Sequence, residues 1–210
     1  VQGGAGLVSN WQPPAEMIRL ADKFLGNESD YSSELMEQLT QAFLEHSQNL
    51  HHPRYIGHQV PASAPLAGLF DALGSVTNQV MGIYEMGPFS TAAERAVVNR
   101  LADAIGWKEN AFSGVVTHGG SLANLTALLT ARNVQFPESW SKGNGKEQVK
   151  VIANGDAHYC IHRAAGILGI GTDSVVHAPL TSLRKIDPVE LEKMLVGFSA
   201  QGVPVLAVAA

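Results

Sequence analysis

The chain is 210 residues long, 45% hydrophobic and only 16% charged, with a formal net charge of −5. That size and apolar content allow a sizeable core. The acidic balance, with no basic run, argues against a nucleic-acid partner, and the want of an apolar stretch of about 18 residues argues against a membrane span.

The first 50 residues read as helical and peripheral. Pro13-Pro14 precede a helix over 16–24, and Ser32-Ser33 offer a cap to a second over 35–50. From 51 to 65 the pattern breaks into an irregular loop rich in histidine and aromatics. A third helix is expected over 66–81. Next, Gly87-Pro88-Phe89-Ser90-Thr91 opens a fourth that runs to 105, with Ser90 or Thr91 as its cap. Glu94 falls in its first turn, where the helix dipole favours an acid.

Beyond 111 the pattern alternates. Strands are expected over 112–117, 148–153, 173–177 and 203–209, and helices over 121–133, 158–166 and 188–198. Leu122, Leu125, Leu128 and Leu129 mark the buried side of the first of these helices, and 141–145 reads as a surface linker. Such β-α repetition implies an α/β fold with a largely parallel sheet covered by helices. The division expected is 1–85, a helical segment with a loop, and 86–210, the sheet-bearing part. The chain opens on Val1-Gln2-Gly3-Gly4 without a signal-peptide pattern and closes on an apolar strand. A parallel strand delivers its ligand-binding loop just beyond its carboxyl end, so the expectation is a piece of a longer protein.

Chemistry concentrates in Thr117-His118-Gly119-Gly120-Ser121-Leu122-Ala123-Asn124, a polar turn between two apolar runs. Ser121 suits an N-cap, and the glycines permit a tight turn and close approach of a ligand. A helix start of this kind suits a phosphate or carboxylate, although a purely structural turn has the same pattern. His158 follows Asn154-Gly155-Asp156 at a strand end, on the same sheet edge, as a ligand contact or as a capping or surface histidine.

His158 and His162 are spaced to share a helix face, yet no glutamate completes a zincin motif. His46, His51, His52 and His58 match no metal spacing either, so no metal is expected. Cys160 is the sole cysteine and reads as a buried thiol. It can form no internal disulfide, which points to a reducing compartment, the cytoplasm.

Several motifs stand in order over residues 46–210. They are His52-Pro53-Arg54-Tyr55, Pro61 with the small and apolar helix after it, Asn78, Pro88 through Glu94, the loop at 117–124, Asp156-Ala157-His158, Arg163-Ala164-Ala165-Gly166, and the strand at 205–210. Together they resemble the group II pyridoxal-phosphate-dependent amino acid decarboxylases, the glutamate, aromatic and diaminobutyrate decarboxylase relatives.

The resemblance implies a fold type I, aspartate-aminotransferase-like large domain, incomplete here and preceded by N-terminal helices. It implies a homodimer binding pyridoxal 5'-phosphate near the interface and acting on an amino acid. Residues 1–85 then hold the substrate-wall loop and 86–210 the first part of the cofactor domain. By position in the motifs, Gly120 and Ser121 are the phosphate contacts. His158 is the imidazole stacked on the cofactor ring, Gln59, Val60 and Ala62 continue the substrate wall around Pro61, and His118 stands close enough to touch substrate or cofactor oxygens. Glu94 matches an acidic position of structural character. Lys185 and Lys193 do not occupy the family's Schiff-base motif. That lysine and the aspartate paired with the pyridine nitrogen are expected on polypeptide following Ala210. A transaminase or lyase of the same fold, or a non-catalytic scaffold subunit, are the alternatives.

Overall fold

The computed structural model describes residues 6–25, 32–108, 111–145 and 148–210; the opening Val1-Gln2-Gly3-Gly4 lies outside them. The residues up to Gly87 and those from Pro88 onward form two compact units.

In the first unit, helix α1 spans Pro14–Leu25, α2 Ser33–His46 and α3 Pro65–Thr77. Ser32 caps α2, its hydroxyl oxygen accepting from the Leu35 N–H at 3.2 Å. The helix ends at His46 rather than 50 because Ser47 turns back: its N–H and its hydroxyl both donate to the Phe43 carbonyl, at 3.0 and 2.6 Å. Likewise α3 stops at Thr77, short of 81, where Asn78 adopts a left-handed conformation (φ 45°) and donates its N–H to the Gly74 carbonyl. Residues 51–64 are irregular, as expected.

None of the residues in α1, α2 or α3 is buried. Phe43 on α2 and Leu66, Leu69, Phe70 and Leu73 on α3 are exposed.

The second unit begins with α4, Pro88–Ala104. Since the helix starts at the proline, Ser90 and Thr91 lie inside it and neither is a cap; Pro at the first position costs no hydrogen bond. Glu94 is consequently in the second turn, where its carboxylate accepts the Val116 N–H at 2.8 Å. Helices α5 (Gly120–Gln135) and α6 (Ser139–Lys142) follow, then β1 (Lys150–Asn154), α7 (Cys160–Ile167), β2 (Val175–Ala178), α8 (Pro188–Ala200) and β3 (Val205–Ala209). The linker at 141–145 thus begins as the end of a short helical turn.

Among the described residues the three strands form one sheet in the order β2-β1-β3, all parallel. Val151, Ile152 and Ala153 are wholly buried, the mark of a central strand covered on both faces. On one face Val151, Ala153 and Val175 pack with Leu128 of α5 and with Cys160, Ile161, Ala164 and Ala165 of α7.

The strand expected over 112–117 does not form. Both edges of β1 are taken by β2 and β3, and 112–117 has no ladder partner among the described residues. The segment lies instead along α4: besides the Val116–Glu94 bond, Gly114 sits so close to Val98 that a Cβ would come within 2.6 Å of Val98 Cγ1. On α5, Leu128 is buried and Leu125 and Leu129 are partly so, but Leu122 is 45% exposed, one turn beyond the reach of the core.

Candidate active site

The site is built where α5 and α7 begin. The two helices run side by side in the same direction: the Asn124 side-chain amide donates to Cys160 Sγ at 3.1 Å near their starts, and Arg132 donates to the Leu168 carbonyl at 3.1 Å near their ends. Because α7 follows β1, both N-termini open at the carboxyl edge of the sheet, where open α/β sheets bind ligands.

At the start of α5 the N-cap is Gly119, not Ser121. Its backbone (φ 80°, ψ 160°) lies in a region open essentially to glycine alone. Ser121 is instead the second helical residue, exposed, and its hydroxyl makes no hydrogen bond among the described residues. No side chain caps this end, so the first-turn amides of Gly120, Ser121 and Leu122 face outward with the positive end of the dipole. A Cβ built at Gly119 or Gly120 would meet nothing within 4 Å, so the approach is open. This donor set, amides and a hydroxyl without a competing carboxylate, fits the phosphate of pyridoxal phosphate. His118 is exposed beside it.

His158 precedes α7 instead of opening it, since the helix starts at Cys160; it therefore shares no helix face with His162. The turn after β1 is held by the Ala157 N–H on the Asn154 carbonyl and the Asp156 N–H on Asn154 Oδ1, at 2.9 and 2.8 Å. The imidazole accepts the Cys160 N–H at Nδ1 (3.2 Å), and its ring lies 4.0 Å from that of Tyr159. Arg163 sits over the other partner of that stack, 4.5 Å from the Tyr159 ring centre. His162 pairs with His177 across the α7–β2 side, ring centres 5.2 Å apart. Cys160 is buried and free. Among the described residues no group of three or more His, Cys, Asp or Glu side chains is placed to hold a metal.

The second unit therefore brings Gly120, Ser121, His118 and His158 to one sheet edge. Gln59, Val60 and Ala62 belong to the other unit, exposed in the irregular loop, where His58 and Gln59 are both left-handed (φ 50° and 48°). Two consecutive non-glycine residues in that region store strain of the kind found at ligand-binding positions. Sequence reasoning missed Tyr159, the contact of Arg163 with its ring and the ion pair of Arg184 with Asp156. Tyr159 and Arg163 were within reach, one turn apart at a helix start beside His158. Arg184 was not, because 28 residues separate it from its partner.

The Asp156–Arg184 pair also sets the local charge: the guanidinium's hydrogen bond holds the Asp156 carboxyl below its ordinary range and raises Arg184 in turn. Lys193 is raised by its bond to Glu190 at 2.6 Å, and so is engaged on α8. A shallow cleft of about 620 Å³ lined by Gln135, Phe136, Gln148 and Val203 lies at the opposite, amino-terminal end of the strands.

Fold and site define an aminotransferase-like α/β domain that binds pyridoxal phosphate on an open, mostly parallel sheet. The crystal structure of mouse CSAD has the same fold, with a TM-score of 0.85 and 26% identity over 98% of this chain and 43% of that one. Residues 14–210 match the pyridoxal-dependent decarboxylase conserved domain, and the chain belongs to that family. It is 28% identical over 189 residues to human acidic amino acid decarboxylase GADL1, covering 90% of this chain and 36% of the relative. It is 26% identical over 189 residues to L-2,4-diaminobutyrate decarboxylase of Acinetobacter baumannii, covering 83% and 37%. The chain thus spans somewhat over a third of the length of these curated relatives. Among the described residues no helix is long and apolar enough to cross a membrane.

Proposed function

We propose that the protein carrying this chain is a carboxy-lyase that uses pyridoxal phosphate to convert an L-amino acid into its amine and carbon dioxide. The observation that supports this best is the meeting of an uncapped helix start at Gly119 with the imidazole of His158 on one sheet edge, in a chain of this family. When bound, the cofactor supplies an electron sink for the pair left on the α-carbon as carbon dioxide departs.

The chain's own residues have four tasks in this reading. Gly120 and Ser121 hold the phosphate through amides and a hydroxyl. His158 lies against the ring face and fixes its plane, so that the carboxylate bond to be broken stands across the conjugated system. Gln59, Val60 and Ala62 serve as substrate-wall residues. His118 touches oxygens of substrate or cofactor at the mouth of the phosphate loop. Residues 1–85 serve as the substrate-wall segment and 86–210 as the start of the cofactor domain, working with further polypeptide, with a second identical subunit, and in the cytoplasm.

The test uses the full-length protein loaded with pyridoxal phosphate and a panel of L-amino acids labelled at the carboxyl carbon. Label released as carbon dioxide in equal amount to the amine formed supports the proposal. Amino-group transfer without carbon dioxide moves the assignment to a transaminase, and no turnover of any kind moves it to a scaffold.

A further inference from the structure

The turn that carries His158 is tied to a distant hairpin. Leu180 and Ile186 form an antiparallel bridge, and the loop between them is closed by the Thr181 N–H on the Lys185 carbonyl and the Arg184 N–H on the Thr181 carbonyl, at 2.8 and 2.9 Å. Arg184 at its tip is left-handed, with φ 62°, a conformation that a residue with a Cβ adopts at a cost. Its guanidinium meets both carboxylate oxygens of Asp156: Nε donates to Oδ2 at 2.7 Å and Nη2 to Oδ1. The Asn154 side-chain amide donates to the Arg184 carbonyl at 3.4 Å, and a Cβ at Gly155 would lie 3.4 Å from Leu180 Cδ1. Three successive residues of the turn, 154–156, therefore rest on the hairpin, and His158 follows two residues later.

The geometry points to Arg184 as a positioning residue that, through Asp156, fixes the turn from which His158 projects. The inference rests on the reading of His158 as the imidazole set against the cofactor ring. Local bonds explain its orientation only in part, because Gly155 leaves the turn free to pivot, and a bidentate Arg–carboxylate pair restrains direction as well as distance. The pair is exposed, with side chains 69% and 47% accessible, so it adds little to global stability. Its effect is local, which separates positioning from a purely structural role.

The experiment compares Arg184→Ala, Arg184→Lys, Asp156→Asn and His158→Ala in the full-length protein, with Lys193→Ala as a surface ion-pair control. Without cofactor, amide exchange at Ala157 and Cys160 is expected to accelerate in Arg184→Ala while Val151 to Ala153 stay protected. With cofactor, kcat should fall about tenfold for a displaced imidazole while cofactor affinity hardly changes, because α5 holds the phosphate. The visible circular dichroism of the bound cofactor should weaken in parallel. Arg184→Lys recovers part of the loss, since an ammonium reaches both oxygens poorly, and in the His158→Ala background Arg184→Ala adds nothing. Should Arg184→Ala fold poorly, Asp156→Asn breaks the same pair from the other side. Unchanged exchange at Ala157 and Cys160, or losses that multiply with His158→Ala, overturn the inference. Absence of carbon dioxide release by the wild type overturns the proposed function instead, and the exchange arm still decides whether Arg184 fixes the turn.

Discussion

Gly119 and Ser121 divide the work at the start of α5. The φ of 80° and ψ of 160° at Gly119 aim the following amides outward, and nothing stands within 4 Å of the place a Cβ would take. Gly119→Ala is therefore expected to cost about 1–3 kcal/mol through backbone strain alone, read as a lower denaturation midpoint. Ser121→Asp puts a carboxylate where a phosphate is proposed to sit and should weaken pyridoxal phosphate binding by on the order of tenfold or more. Stability should barely move, because an acid in the first turn suits the dipole; titration of the cofactor beside a melting curve separates the two. Asp156 yields a pH prediction. Its folded pKa is lowered from 3.8 by Arg184, so the contribution is fully present above that value and lost as pH falls through the lower folded one. The small difference in thermal midpoint between wild type and Asp156→Asn should hold from neutral pH down to roughly pH 5 and close below about pH 4.

At the scale of the element, capping decides where helices begin. Asp187 caps α8 twice over, its Oδ1 accepting the Val189 and Glu190 N–H groups at 2.9 and 3.3 Å ahead of Pro188. Asp187→Ala should destabilise the protein by about 1 kcal/mol, seen as a lower urea midpoint with an unchanged slope. Packing decides which helices hold the site. The contacts of α5 and α7 at Asn124–Cys160 and Arg132–Leu168 keep their N-termini in step, so the proposed phosphate loop at the start of α5 and the imidazole just before α7 can address one ligand.

For the whole molecule, the helices of the first unit set the expectation. With no buried residue in α1, α2 or α3 and Phe43, Phe70 and Leu73 in the open, an apolar surface of this kind marks an interaction site. If the proposed homodimer forms, this is the surface expected to meet the second subunit. Sedimentation of the full-length protein should give a dimer, and exchange at α2 and α3 should slow with association. A monomer at micromolar concentration would remove the assignment.

The sequence by itself determined much. Periodicity placed α7, α8 and the buried run Val151-Ile152-Ala153, because local pattern and burial agree there. The glycines of the 117–124 loop and the motif around His158 carried the family, since such sites are contiguous in the chain. Tertiary structure decided the rest. Residues 112–117 read like a strand but lack a partner among the described residues, and ladder hydrogen bonds exist only in pairs. Ser121 resembles a cap, yet the cap fell to Gly119, because the helix begins already at Gly120, after a backbone conformation open essentially to glycine. Arg184 reaches Asp156 only once β1 and β2 have paired and the hairpin after β2 has closed, and no local signal encodes a contact made by the folding of the chain between them.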